Sequence, residues 1–180
     1  MNLPSQHPPK RILIACIGNI FLGDDAFGVE VAQRLQSRKT KSYPPGVEVV
    51  DFGIRGMDLA YSLLDDYDML ILVDAVPRGG SPGTLYLIEP KQPGSSSEQG
   101  ATAGKATPDA HSMDPVKVLA FARTLGARPI HTLLVGCEPT PLGDEYTEMQ
   151  MGLSDPVQAA VDEAVKMIDS LIEKLVPKET

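Results

Sequence analysis

The run Gly18-Asn19-Ile20-Phe21-Leu22-Gly23-Asp24-Asp25-Ala26-Phe27-Gly28 sets two adjacent carboxylates in a glycine-rich turn. An apolar run at residues 11–17 precedes it and an amphipathic run follows, so the turn joins a strand to a helix, where α/β folds build their sites. Gly18, Gly23 and Gly28 are spaced by five and do not form the G-x-G-x-x-G pattern of dinucleotide loops. Two carboxylates at a helix N-terminus also repel the phosphate that free N–H groups there would otherwise bind. A cation or a polar substrate fits the charge better. One acid is enough to cap the helix, a use that suits Asp24 and leaves Asp25 for chemistry.

Other chemistry-bearing residues stand at matching places. Asp74 ends the most hydrophobic run of the chain, Met-Leu-Ile-Leu-Val-Asp-Ala-Val at 69–76, where an unpaired charge is penalised by several kcal/mol. It therefore needs a cation, a proton or access to a cleft. Asp51 ends another strand-like run and precedes Phe52-Gly53-Ile54-Arg55-Gly56. It either lines the same rim or serves its own turn, bonding nearby backbone or pairing with Arg55. His7 falls in a Pro-rich terminus, and His131 opens a strand, where a histidine more often plays a structural part. His111 instead sits just before Asp114-Pro115, a cap and first-turn proline that open a helix at 116–124. If the loops after the strands gather at one edge, Asp25, Asp74 and His111 converge as two oxygens and one nitrogen. That set makes a metal site with open positions. Gly18, Asn19 and Asp51 are the candidates for holding a substrate beside it. Cys16 and Cys137 lie in apolar runs and read as buried thiols rather than a disulfide or a nucleophile.

The elements that must position these groups alternate. Near-continuous apolar runs at 11–17 and 69–76, with shorter ones at 47–51 and 130–135, carry the pattern of parallel strands covered on both faces. Helical periodicity fills 25–38 and 56–64, and Ser154-Asp155-Pro156 opens a long terminal helix reaching residue 176. Residues 84–89 form an antiparallel edge strand. The pattern predicts an α/β three-layer α/β/α sandwich with a mainly parallel twisted sheet. Residues 90–108 break the rhythm with Gly, Ser, Pro, Ala and Gln and predict a mobile loop, either a lid or a tolerated insertion.

Composition narrows the classes. A chain of 180 residues with 42% hydrophobic content is the length of one domain, 1–180, with residues 1–10 expected to be disordered. Sixteen basic against 24 acidic residues give a net charge of -8, which excludes non-specific nucleic-acid binding. No apolar run approaches the roughly 20 residues that span a bilayer, and residues 1–10 lack the core of a secretory signal. The expectation is a soluble, cytoplasmic monomer with no nucleic-acid or membrane partner.

Five blocks then carry a resemblance: G-N-I-F-L-G-D-D-A-F-G, D-F-G-I-R-G-M-D-L, L-I-L-V-D-A-V, H-S-M-D-P-V-K-V-L, and G-C-E-P with M-G-L-S-D-P-V after it. In this order they resemble the nickel-iron hydrogenase maturation endopeptidases. The resemblance implies a twisted sheet between helices and a nickel-dependent peptidase that removes a short C-terminal peptide from the hydrogenase large-subunit precursor after nickel insertion. It implies metal contacts at Asp25, Asp74 and His111, with the nickel carried by the precursor and the general base, Asp25 or Asp74, left open. Zinc or another divalent ion could occupy the same mixed O,O,N set in purified protein. The alternative is an assembly chaperone that binds the nickel-loaded precursor without cutting it. A hydrolase built on G-x-S-x-G finds no such motif here.

Overall fold

The computed structural model describes residues 10–38, 42–90, 115–141 and 150–176. Five strands form one sheet: β1 (Ile12–Ile17), β2 (Val47–Gly53), β3 (Met69–Ala75), β4 (Leu85–Ile88) and β5 (His131–Cys137). Their order is β2-β1-β3-β5-β4, parallel throughout except for β4, which runs antiparallel to β5 at the edge. The helices are α1 (Phe27–Gln36), α2 (Gly56–Ser62), α3 (Pro115–Thr124) and α4 (Asp155–Leu175).

The apolar runs alternate faces because successive strand residues point to opposite sides. Ile12, Ile14, Met69, Ile71 and Val73 pack under α1 and α4, whose Val31, Leu35, Val161 and Ile168 complete that core. Leu13, Ala15, Ile17, Leu70 and Leu72 face the other way, against Leu59 and Leu63 near α2 and Val118 and Ala122 of α3. Both faces of the sheet are thus covered, as the unbroken hydrophobicity of β1 and β3 requires. At the far end of α1, Arg38 and Tyr43 both bond Asp169 at 2.8 Å and tie α1 and the approach to β2 onto α4.

Three local expectations are corrected. The helix predicted from residue 25 begins as a 3-10 turn, Gly23–Ala26, before α1 proper. Asp24 does not cap it: the turn has no side-chain cap bond, and the Asp24 carboxylate reaches instead across the molecule. Ser154 occupies the N-cap position of α4 but gives its hydroxyl to Asp24 rather than to its own helix. No helix among the described residues is long and apolar enough to cross a membrane.

Candidate functional site

From β1 the chain crosses outward to β2 and then returns to β3 on the other side, so the connections leaving β1 and β3 part at their C-terminal ends. Open α/β sheets bind ligands in the crevice at such a switch point. Here the crevice is a cleft of about 530 Å³ whose lining includes Gly18, Asp25, Gly53, Asp74 and Arg78. Pro115, Val116 and Leu119 at the start of α3 line it as well.

Asp74 arrives there by strand alternation. It shares the face of Leu70 and Leu72, but lies one step beyond the helices that cover them, so its side chain meets the cleft. It is 9% exposed, and Gly136 is its neighbour across the sheet. Its Oδ1 accepts the Ala75 N–H at 2.8 Å. Burial first, and then the charge of Asp25, hold its carboxyl well above the usual range. Asp25 projects from the 3-10 turn, and its Oδ2 accepts the Asn19 N–H at 2.9 Å. Burial raises its carboxyl too, and that hydrogen bond only partly opposes the rise. Two carboxyls raised by burial, each without a basic side chain paired to it among the described residues, form a site that favours a proton or a cation.

The turn itself is fixed from both sides. A Cβ on Gly18 would stand 2.1 Å from the carbonyl oxygen of Asp25, so only glycine lets the chain leave β1 this close to the returning turn. On the outer side the Asp24 carboxylate accepts the N–H groups of Thr140 and Ser154 at 2.8 and 2.7 Å and the Ser154 hydroxyl at 2.9 Å. Burial alone would raise Asp24, but these donors outweigh it and hold the carboxyl below its ordinary value. Asp24→Ala is expected to lose about 2 kcal/mol of stability, because two backbone donors are left unpaired. Denaturant unfolding reads this. The advantage of the wild type should shrink as the pH falls through the ordinary carboxyl range, since a depressed carboxyl stabilises only while it is ionised.

The remaining predicted residues divide. Gly18 lines the cleft wall, and Asn19 acts through its N–H on Asp25, while its side-chain oxygen accepts from the Phe21 N–H at 3.0 Å. Asp51 is not among the lining residues: its Oδ1 accepts the Gly53 N–H at 2.8 Å, and Arg55 bonds the Asp51 main-chain carbonyl rather than the carboxylate. His131 pairs with Glu89 at an exposed edge, 2.7 Å away. Cys16 and Cys137 are buried free thiols, pushed up chiefly by burial, Cys137 to about 12. His111, His7 and residues 91–108 lie outside the described residues. Among the described residues no group of three metal-ligating side chains forms.

Sequence reasoning passed over Glu138. It follows β5 directly and is 4% exposed. Its carboxylate accepts the N–H groups of Arg78 and Gly79 within 3.0 Å and the Tyr86 hydroxyl at 2.7 Å. Burial works against its charge, but these bonds prevail and lower its carboxyl. The rule that singled out Asp74, an acid closing a buried strand, would have found Glu138 as well.

The site is thus an acidic pair over the switch point of a mostly parallel sheet. The chain belongs to the hydrogenase maturation protease family, whose model matches residues 29–171. It is 31% identical over 159 residues to the hydrogenase 2 maturation protease of Escherichia coli, covering 88% of each chain. It is also 30% identical over 158 residues to the hydrogenase expression/formation protein HupD of Rhodobacter capsulatus, covering 88% of this chain and 71% of that one. Among solved structures, the hydrogenase maturating endopeptidase HybD from E. coli superposes with a TM-score of 0.69 at 30% identity, over 91% of this chain and 93% of that one. The five-stranded, mostly parallel sheet flanked by helices is the fold of that endopeptidase.

Proposed function

We propose that this protein is a nickel-dependent endopeptidase that removes the C-terminal peptide of a nickel-iron hydrogenase large-subunit precursor after nickel insertion. The observation that carries the reading is the juxtaposition of Asp25 and Asp74, two carboxyls raised by burial and, at Asp74, by mutual repulsion, on one cleft at the switch point. A cation brought between them offsets that repulsion and draws both into the ionised form.

In this reading the nickel belongs to the precursor, so the carboxylates read whether the metal has been inserted. Asp25 and Asp74 contact the ion, with His111 as the nitrogen ligand. Gly18 and the Asn19 N–H hold the turn that aims Asp25, and the cleft beside them admits the precursor's C-terminal segment as an extended chain. Hydrolysis adds water across one peptide bond. The proton leaving that water goes to a general base, for which Asp25 and Asp74 are the two candidates within the cleft. In this reading the hydrogenase large-subunit precursor is the partner, and the protein acts on it as a cytoplasmic monomer. Zinc in purified protein would occupy the same oxygens without being the physiological ion.

Mass spectrometry of nickel-loaded precursor after incubation with the protein tests cleavage. The expected result is a shortened large subunit together with the released C-terminal peptide. An intact precursor that nonetheless binds the protein overturns the peptidase reading and leaves an assembly chaperone.

A further inference from the structure

The loop after Asp74 is built with more care than a connection needs. Residues 77–80 leave β3 and would be free to move, yet the buried Glu138 carboxylate collects the N–H groups of Arg78 and Gly79. A buried carboxylate is costly unless such donors satisfy it, and here they fix the loop against the end of β5. The Tyr86 hydroxyl donates to the same carboxylate at 2.7 Å, and its ring lies under the Arg78 guanidinium, 5.4 Å from centroid to Cζ. Such stacking orients a guanidinium while leaving its planar edge of N–H donors available. The result is an arginine held at the wall of the cleft that contains Asp25 and Asp74.

Among the described residues no carboxylate takes up its charge. Arg11, Arg34, Arg38, Arg55 and Arg128 each pair with a carboxylate. Arg78 pairs with none among the described residues, although the chain carries 24 acidic side chains against 16 basic ones. A cleft with two acids at one place and an oriented guanidinium at another is complementary to a ligand with the opposite arrangement: a cation and, further along, a carboxylate.

We propose that Arg78 is a specificity-determining residue that binds a carboxylate in the C-terminal segment of the precursor, with Tyr86 and Glu138 as its positioning residues. This rests on the endopeptidase reading for its ligand, but its test does not depend on cleavage. The carboxylate belongs to an acidic side chain of that segment or to the chain terminus. The bidentate geometry of guanidinium and carboxylate is the same in both cases.

Equilibrium binding of nickel-loaded precursor is measured with the wild type, Arg78→Ala, Arg78→Lys and Arg78→Glu. Lys166→Glu on the exposed side of α4 is the control, since it changes the net charge as much as Arg78→Glu does. Arg78→Ala is expected to weaken binding about tenfold and Arg78→Glu further, with Arg78→Lys between alanine and wild type. Lys166→Glu should bind like the wild type. In processing assays the same loss should appear in KM, with kcat nearly unchanged. Two altered precursors identify the source: one with the side-chain acids of its C-terminal segment neutralised, one with its terminus displaced by a neutral extension. The precursor that has lost the ligand binds the wild type about tenfold more weakly and no longer distinguishes it from Arg78→Ala. Wild-type affinity in Arg78→Ala and Arg78→Glu overturns the proposal even if processing is intact, as does full affinity for both altered precursors. Weakened binding by these variants in a protein that cuts nothing upholds Arg78 and removes the peptidase reading instead. No binding by the wild type overturns both.

Discussion

Replacing Asp74 by asparagine is expected to abolish precursor processing while raising the stability of the metal-free protein at neutral pH. Catalytic groups and structural groups respond oppositely to this change. A carboxylate that only supported the fold would take stability with it when lost. Asp74 is 9% exposed, and burial together with the Asp25 charge opposes its ionisation. Asparagine keeps an oxygen to accept the Ala75 N–H and removes the charge. The linkage has a definite sign: the folded protein holds the Asp74 proton to higher pH than the unfolded chain does. The wild type therefore loses stability as the pH rises from the ordinary carboxyl range through the raised folded value. The asparagine variant has no proton to lose at this position, so the two melting temperatures should nearly coincide in acid and separate towards neutrality. Each kcal/mol recovered corresponds to about 2–4 °C in a chain of this size. Activity should fall by about a thousandfold or more, the range expected when a group that contacts the metal or the transferred proton is removed. Processing at the wild-type rate by Asp74→Asn would place the chemistry elsewhere.

Gly28→Ala is expected to be strongly destabilising, because the sheet leaves no room for a methyl group there. The new Cβ would stand 2.0 Å from the Ile17 carbonyl oxygen, 2.5 Å from that of Val73 and 2.7 Å from the Ile17 nitrogen. All three are backbone atoms of β1 and β3, strands flanked on both sides within the sheet, so no flexible side chain can yield. The first turn of α1 would have to lift off the sheet, at a cost of about 3 kcal/mol or more, the upper end of what overpacking costs. Because the 3-10 turn bearing Asp25 leads directly into α1, processing should decline with stability. Denaturant unfolding gives the first quantity. A loss below about 0.5 kcal/mol, the level of an ordinary surface substitution, would show that the helix tolerates the shift.

The parts of this structure that the sequence made legible are those governed by local pattern. Continuous apolar runs became β1 and β3, the edge strand expected at 84–89 became the antiparallel β4, and an acid closing a hydrophobic strand marked Asp74. What stayed hidden depends on contacts distant in the chain. Asp24 read as a helix cap because capping is a common use of an aspartate before a helix and one acid of the pair suffices for it. Its actual donors, Thr140 and Ser154, lie more than a hundred residues away. The same distance hid Glu138, whose role is visible only once β5 brings it beside residues 78–79, and Arg78, which gains an orientation only when Tyr86 arrives on β4. Asp51 illustrates the opposite case: both its rim and its turn readings were open in the sequence, and the Gly53 N–H bonds one of its two carboxylate oxygens, as the turn reading expects.

The central claim is that the acidic pair reads nickel on the precursor before cutting it. The most direct measurement presents the same precursor in two forms, nickel-loaded and nickel-free, to the wild-type protein and follows the mass of the large subunit. The account predicts loss of the C-terminal peptide from the nickel-loaded form alone. Equal cleavage of both forms would contradict it, because Asp25 and Asp74 would then act without the ion they are proposed to recognise.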